Sequence, residues 1–138
     1  MFSRPCNTVH AEMDPTAPAP LIAPLVCSLF GTEGDVTLVA GSILHKAYGT
    51  LTIKEPYRCS YALNRNRYES VFGGDLKATA QDATGEPRGI ELCGHPFYVG
   101  TLFQPEQRAL KGELPPIVRE LIWAVERCKA TRSPLEVR

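Results

Sequence analysis

The chain lacks an excess of charge of either sign, and it lacks an apolar run long enough to cross a membrane. Its 15 basic residues balance 15 acidic ones, so we expect no surface that would select nucleic acid or an anionic membrane. No apolar run approaches the roughly 20 residues that a membrane helix needs, and the first residues lack the apolar core of a signal peptide. Because of these absences, we expect neither a nucleic acid nor a membrane as partner, and we predict a cytoplasmic protein.

Paired cysteines and nucleotide-binding motifs are missing as well. The five cysteines are widely spread and form no C-x-x-C pair, which disfavours a disulfide framework or a zinc site. Cys59, Cys93 and His95 remain an alternative set of metal ligands, although isolated cysteines on strands are more often small buried side chains. Since no phosphate-binding motif is present, we expect no cofactor in this chain.

The order of the predicted elements indicates a single domain. Prolines crowd residues 14–24, which predicts an extended connector. Strands are predicted at 36–39 and 51–53, a short helix between Ser42 and Gly49, a second short helix at 64–72, and a hairpin whose turn lies at Thr84 and Gly85. The apolar run at 97–103 predicts a central strand that is buried on both faces. We expect an irregular proline-rich lead-in at 1–24, a domain at 25–131 and a tail at 132–138.

The most regular helical pattern lies near the end of the chain, at residues 115–130. Two prolines open it, and apolar residues then repeat at helical spacing. The residues expected to face the core are Ile117, Leu121, Ile122, Val125 and Cys128. Trp123 lies among them and is predicted to be a core residue too. A strand-rich middle closed by a helix favours an α/β fold with a mixed sheet over a helical bundle.

Polar side chains follow the apolar run directly, at Gln104 and Glu106. The end of a strand is where α/β proteins place functional groups, because rigid backbone meets solvent there. From residue types alone, however, the favoured interpretation is that Gln104 caps a strand and Glu106 begins the connection to the last helix. For His95, which opens the apolar run, packing is likewise favoured over catalysis.

The same region resembles the C-terminal part of the glutamine amidotransferase domain of CTP synthase. There, a stretch similar to IELPDHPFFVGVQFHPE occupies the register of residues 90–106, and residues 55–64, EPYRCSYALN, look like the family's ERHRHRYEVN. The resemblance runs from around Val9 to the end of the last helix and is closest to short CTP-synthase-like amidotransferases that lack the synthetase domain. It implies the C-terminal half of a class I glutamine amidotransferase (flavodoxin-like) domain, truncated at its N-terminus.

That family hydrolyses glutamine with a cysteine nucleophile on a strand-to-helix turn, a histidine base and a glutamate that orients the histidine. By position, the triad carboxylate falls on Glu106 and the histidine position falls on Gln104. A neutral amide cannot accept and return a proton near pH 7. The glycine-rich segment around the nucleophile has no counterpart, and Cys6 lacks the glycine neighbours of such a turn. The resemblance therefore implies a chain that is inactive alone.

The family's substrate-binding positions fall on Arg58, Ser60 and Tyr61. Ser60 replaces an arginine that in the family helps to hold glutamine, which weakens the expectation that glutamine binds here. Cys59 stands where the family has histidine, and this exchange motivates the hypothesis of a redox or nucleophilic thiol.

Three interpretations of function remain open. The resemblance implies a fragment of an enzyme that forms CTP from UTP, ATP and glutamine, with an N-terminal half or a synthetase chain as partner. The alternative is a noncatalytic pseudo-amidotransferase that acts as a binding or interaction module. A third interpretation is a poorly folding product, because half of a sheet exposes strand edges and an apolar face, which also predicts self-association.

Overall fold

Strands dominate the middle of the chain, and the longest helix closes it. The computed structural model describes residues 9–131, so Cys6 and the predicted tail at 132–138 lie outside the described residues. In chain order the elements are β1 (Ile22–Pro24), β2 (Thr32–Leu38), α1 (Ile43–Tyr48), β3 (Thr52–Tyr57), β4 (Tyr61–Leu63), α2 (Tyr68–Phe72), β5 (Leu76–Gln81), β6 (Pro87–Leu92), β7 (Val99–Thr101) and α3 (Pro116–Thr131). Two 3-10 segments, Arg65–Arg67 and Pro105–Lys111, complete the described part. The α/β class is confirmed.

Two sheets organise these strands. The larger has the order β3-β2-β5-β6-β7, and the smaller pairs β1 with β4. All of these strand pairs are antiparallel, and a parallel bridge joins His10 to Ile22. Only two residue pairs join β2 to β5, and the β5–β6 register shifts at Ala80. The larger sheet therefore curls at this point, because bulges of this kind bend a strand.

The short helix α1 forms as its flanking residues predict. The Ser42 side chain accepts a hydrogen bond from the His45 N–H at 3.0 Å, and Gly49 ends the helix with a φ of 72°, which costs glycine little. The buried Glu91 carboxylate also accepts the N–H groups of Ile43 and Leu44, each at 2.9 Å. A strand residue 47 positions after Leu44 in the sequence thus fixes where the helix begins.

The predicted hairpin is β5–β6, and its turn is held by one side chain. The Asp82 carboxylate accepts hydrogen bonds from the backbone N–H groups of Thr84 and Glu86, and Gly85 adopts a φ of 81°. Asp82 and Gly85 together therefore specify the turn, by the ordinary chemistry of such residues. The proline-rich residues 14–24 are non-helical, as predicted, and end in β1.

The prediction of a central strand at 97–103 is wrong. Only Val99–Thr101 forms a strand, β7, and it lies at the edge of the larger sheet with its three residues half-buried. Pro96 precedes it, and the chain leaves the β6 ladder after Leu102, whose N–H donates to the Arg88 carbonyl at 2.8 Å. Gln104 then donates its N–H to the Pro56 carbonyl at 2.8 Å, so the apolar run crosses from one edge strand to the other.

The predicted orientation of the last helix is wrong in part. α3 packs against α1 with Glu120 and Ala124 buried and Ile117 and Cys128 half-buried. Leu121, Ile122, Trp123 and Val125 were expected in the core and are instead 42–50% exposed. The physical reason is that α1 has only six residues and covers a narrow stripe of α3, while the apolar pattern continues round the helix.

Seven buried side chains form the core, from β2, α1, β3, β5 and the segment after β7: Val36, Leu38, Leu44, Ile53, Tyr57, Ala80 and Phe103. Beside them lies an ion pair between a buried carboxylate, Glu55, and the half-buried Arg108. Glu55 is completely inaccessible, and Arg108 donates its Nε–H to the Glu55 Oε1 atom at 2.8 Å. Burial and the Glu55 charge raise the pKa of Tyr48 far above its usual range, so its hydroxyl stays protonated beside this carboxylate.

Replacing Arg108 by Met is expected to lower the free energy of unfolding by about 3–5 kcal/mol, because it leaves a buried carboxylate without its cation. Urea unfolding followed by circular dichroism measures this loss. Arg65→Met is the matched control, since Arg65 pairs with Glu86 at the surface with 70% of its side chain exposed, and should cost less than about 1 kcal/mol. Adding Glu55→Gln to Arg108→Met should recover part of the loss, and an Arg108→Met protein as stable as the control would contradict the assignment.

Candidate functional site

Gln104 lies where the two edges of the larger sheet meet. Its backbone N–H bonds to Pro56, at the end of β3, and its φ of −114° and ψ of 81° place it just before the 3-10 segment Pro105–Lys111. The side-chain Oε1 atom is buried and has no hydrogen-bond partner among the described residues. An amide at this point can donate and accept hydrogen bonds, but it has no basic lone pair with which to take a proton near pH 7.

Glu106 lies two residues further on, inside the 3-10 segment, and is exposed. The Gln107 N–H donates to the Gln104 carbonyl at 3.1 Å, so the backbone turns sharply between the two predicted triad positions. The assignment of Glu106 to the carboxylate position and of Gln104 to the histidine position stays a prediction.

Of the predicted substrate-binding residues, Arg58 and Ser60 lie on the segment that joins β3 to β4, and Tyr61 is the first residue of β4. Arg58 stacks its guanidinium over the Phe30 ring at 5.8 Å, the Ser60 hydroxyl bonds to that of Ser28 at 2.8 Å, and the Tyr61 ring contacts His10 at 5.0 Å. Each side chain therefore contacts the part of the chain between residues 9 and 31. Hydrogen bonds from Gln104 to Pro56 and from Cys59 to Leu102 tie the neighbouring residues to the segment 102–104, whereas the side chains of Arg58 and Ser60 contact Phe30 and Ser28.

Cys59 is the thiol nearest to this junction. It is half-buried, and its Sγ–H points at the Leu102 carbonyl at 3.8 Å. Burial raises the pKa of the Cys59 thiol, and the Arg88 charge offsets this only in part. A thiol that is harder to ionise than usual is a poor nucleophile at neutral pH, so the environment of Cys59 argues against the hypothesis of a reactive thiol.

The alternative metal site does not assemble. Cys93 is exposed in the turn after β6 and His95 accepts the Phe97 N–H, while Cys59 lies beside Leu102. Within residues 9–131 no group of three or more His, Cys, Asp or Glu side chains is placed to hold a metal ion. Across the same residues, none of the helices has the length and apolar character needed to span a bilayer.

Sequence reasoning missed the group that holds this junction in place. Arg108 belongs to the same 3-10 segment as Glu106 and reaches back to Glu55 on β3, while its guanidinium lies 6.0 Å from the centre of the Tyr48 ring. No periodicity links these three positions, because they come from three separate elements. The available signal was that Glu55 shares one face of β3 with Ile53 and Tyr57 at a spacing of two residues, since a buried carboxylate must find a cation.

Comparison of the sequence with known proteins finds CTP synthases as relatives. The CTP synthase of Caldivirga maquilingensis is 31% identical over 120 residues, which cover 86% of this chain and 22% of that protein. CTP synthase 2 of Rattus norvegicus is 31% identical over 120 residues, covering 76% of the chain and 20% of the relative. The chain thus spans about a fifth of the length of these relatives. No family model matches the sequence.

Solved structures show the same fold at lower identity. The glutaminase domain of Trypanosoma brucei CTP synthase, determined with bound acivicin, superposes with a TM-score of 0.68 at 19% identity over 85% of this chain and 50% of that domain. A protein of Thermoplasma acidophilum, assigned as a GMP synthase subunit, superposes with a TM-score of 0.58 at 16% identity over 79% of this chain and 50% of the other.

These structures define the class: the chain has the fold of a glutamine amidotransferase domain. The match extends over one half of each solved chain. Within that class it is CTP-synthase-like, and the predicted resemblance to the C-terminal half of the CTP synthase amidotransferase domain is confirmed.

Iodoacetamide is expected to modify Cys93 at least about tenfold faster than Cys59 at neutral pH, because Cys93 is exposed and the thiolate is the reactive form. The rate at Cys59 should keep rising with pH beyond the ordinary thiol pKa of about 8.5, since burial raises its pKa. A time course of peptide masses at several pH values measures both rates. Faster labelling of Cys59 than of Cys93 would revive the reactive-thiol hypothesis.

Proposed function

We propose that this chain is a noncatalytic glutamine amidotransferase-like module that binds a partner polypeptide through α3. In the family role, the partner would be the complementary half of an amidotransferase domain or a synthetase chain, within an enzyme that forms CTP from UTP, ATP and glutamine. This chain alone would neither hydrolyse glutamine nor form CTP.

The observation that carries the proposal is the apolar side of α3. Val118, Leu121, Ile122 and Val125 repeat at helical spacing on one side of the helix and are 38–50% exposed, next to Leu114 just before the helix, at 60%. Contiguous exposed apolar surface of this kind marks a protein interface. The chain matches only half of the solved glutaminase domain, so a polypeptide with the fold of the other half is the partner that suits this surface.

The absence of catalysis follows from the chemistry of Gln104. Acyl transfer from glutamine needs a group that removes the nucleophile's proton and later protonates ammonia, and a buried neutral amide does neither. Complementation by a half-domain that carried a cysteine would therefore still leave the base missing. Because Glu106 is exposed and lies beyond a sharp turn, it is not held ready for the role of base.

The third interpretation, a poorly folding product, is disfavoured by the hydrogen bonds at the edges of the sheet. The segment after β7 bonds to the end of β3 through Gln104 and Pro56, and the N–H groups of Leu25, Leu29 and Gly31 bond to the carbonyls of Ser60, Cys59 and Tyr57. Edge groups that a missing half would otherwise leave unpaired are thereby satisfied within the described residues.

Purified chain is expected to release no ammonia from glutamine above the uncatalysed rate, and Gln104→His is expected to leave this result unchanged, since a base without a positioned nucleophile does not complete the triad. A coupled glutamate dehydrogenase assay measures the release, with an intact CTP synthase as positive control. Hydrolysis by the unaltered chain that is abolished by thiol alkylation would contradict the proposal.

The chain on its own is expected to self-associate through α3, because the apolar side is left uncovered. Light scattering on a sizing column should give a mass above 15.2 kDa for the unaltered protein and a monomer for the double variant Leu121→Lys, Val125→Lys. Glu126→Lys adds the same type of charge at an exposed position of the same helix and should keep the association.

Titration with the complementary half of a CTP synthase glutaminase domain should dissociate the self-associated species and form a complex of one copy of each. The double variant should fail to form it, while Glu126→Lys should bind as the unaltered chain does. A monomeric unaltered chain, or equal binding by both variants, would contradict the assignment of α3.

A further inference from the structure

A cavity lies on the face of the larger sheet opposite Glu91 and α1. It is a partly open cavity bordered by β6 and β7, the helix α2 and the two-stranded sheet, and its volume is about 250 Å³. Apolar side chains dominate its lining: Ile22, Leu63, Val71, Phe72, Ile90 and Leu102. An apolar cavity of about 150 Å³ is large enough to bind benzene, so this one has room for a molecule of single-ring size.

Arg88 supplies the polar end of this cavity. It lines the cavity together with Ile90 and is 6% exposed. Its Nη2 atom donates to the Asp82 Oδ2 atom at 2.7 Å, whereas its Nε–H, although buried, has no hydrogen-bond partner among the described residues. A buried donor without an acceptor costs free energy, and an acceptor brought in by a ligand would recover it.

The charge of Arg88 is already balanced. Burial raises the pKa of Asp82, but hydrogen bonds from Thr84 and Glu86 and the Arg88 charge outweigh it and hold the pKa below its usual value. Asp82 is therefore a carboxylate at neutral pH, and the pair is neutral. A ligand anion would add an uncompensated charge to a largely apolar space, so a neutral acceptor such as an amide or ketone oxygen suits the Nε–H better.

A second donor lies near the same guanidinium. The Tyr57 hydroxyl is buried without a hydrogen-bond partner among the described residues. Burial raises the pKa of Tyr57 to about 12, against the opposing influence of the nearby Arg88 charge. The hydroxyl is thus protonated at neutral pH. Around Arg88 the structure offers donors in need of acceptors, and no cationic centre in need of an anion.

A wider cavity of about 560 Å³ continues on the other side of Leu63 and Arg88, which line both spaces. Its lining adds polar side chains, Asn64, Arg65, Thr84 and Glu86. Arg88 therefore lies between the apolar cavity and this more polar one. A ligand larger than a single ring could extend past Arg88 into the polar cavity.

We propose that the cavity bounded by β6, β7, α2 and the small sheet binds a small neutral molecule with an apolar, ring-sized body and a carbonyl-type acceptor that bonds to the Arg88 Nε–H. The site uses neither the α3 surface nor Gln104, so it stands or falls separately from the function proposed above.

Phenylacetamide, phenylacetate and toluene test the proposal in solution, because they share a ring and differ in the acceptor. Titration into the 15N-labelled full chain, followed by two-dimensional NMR, should give saturable shifts of the Ile90, Gly100 and Thr101 amide signals. For ligands of this size we expect a Kd for phenylacetamide on the order of 0.1–1 mM, with phenylacetate and toluene each binding at least about fivefold more weakly.

Two kinds of variant separate the cavity from the donor. Val71→Phe fills the apolar space and should weaken all three ligands about tenfold or more, whereas Val39→Phe, the same substitution at a position just after β2 that is 47% exposed, should change none. Arg88→Lys keeps a cation beside Asp82 but removes the Nε–H, so it should weaken phenylacetamide towards toluene and leave toluene unchanged. If Val71→Phe does not fold, Leu63→Phe fills the same space from the small sheet.

Three results would overturn the proposal. They are the absence of saturable shifts with any of the three probes, tighter binding of phenylacetate than of phenylacetamide, and an affinity for phenylacetamide that a folded cavity-filling variant leaves unchanged. An unaltered chain that does not associate through α3 but still binds phenylacetamide in the cavity would reject the proposed function and leave this proposal standing.

Discussion

The Glu55 carboxylate has no access to water, and its charge has to be balanced from inside the protein. Arg108 provides that balance from the 3-10 segment Pro105–Lys111, so the segment cannot leave β3 without exposing or stranding a charge. The position of this segment in turn sets where Gln104 and Glu106 lie and where α3 begins. Much of the C-terminal part of the chain is thus tied to the sheet through this one ion pair.

A second buried carboxylate has a corresponding role on the same α1 face, at the other end of the larger sheet. Glu91 is 7% exposed and binds the first N–H groups of α1 and the Thr79 hydroxyl. It links β5, β6 and α1, and α3 packs on α1 through Arg119, which donates to the Ala47 carbonyl at 3.0 Å. Two buried carboxylates therefore place both helices of this face, which explains how a sheet with a small apolar core keeps a defined arrangement.

The same arrangement separates two surfaces with different chemistry. On the α1 and α3 face, the apolar side of α3 is left uncovered because α1 is too short to cover more than one stripe. On the opposite face, α2 and the small sheet cover β6 and β7 only in part. The gap between them is the partly open cavity at Arg88. The chain keeps the fold of a glutamine amidotransferase domain over half of the solved domain, and the function proposed above uses the first of these two surfaces.

Local sequence signals predicted the local structure well. Ser42 and Gly49 delimited α1, Asp82, Thr84 and Gly85 marked the hairpin turn, and the prolines at 115 and 116 opened α3, because caps and turns depend on a few neighbouring residues. The long matches at 55–64 and 90–106 likewise predicted the CTP-synthase-like amidotransferase fold before any geometry was known.

The sequence by itself therefore determined α1, the β5–β6 hairpin, α3 and the class of fold, and it puts a glutamine at position 104. Only the tertiary structure decided that β7 is an edge strand, that Trp123 and Leu121 face outwards, and that Arg108 reaches Glu55 and Arg88 reaches Asp82. The reason is physical: periodicity shows that a helix or strand has an apolar side, but which side is covered depends on the size and position of the element packed against it. Buried charges choose partners by distance in space, and no spacing along the chain records that distance.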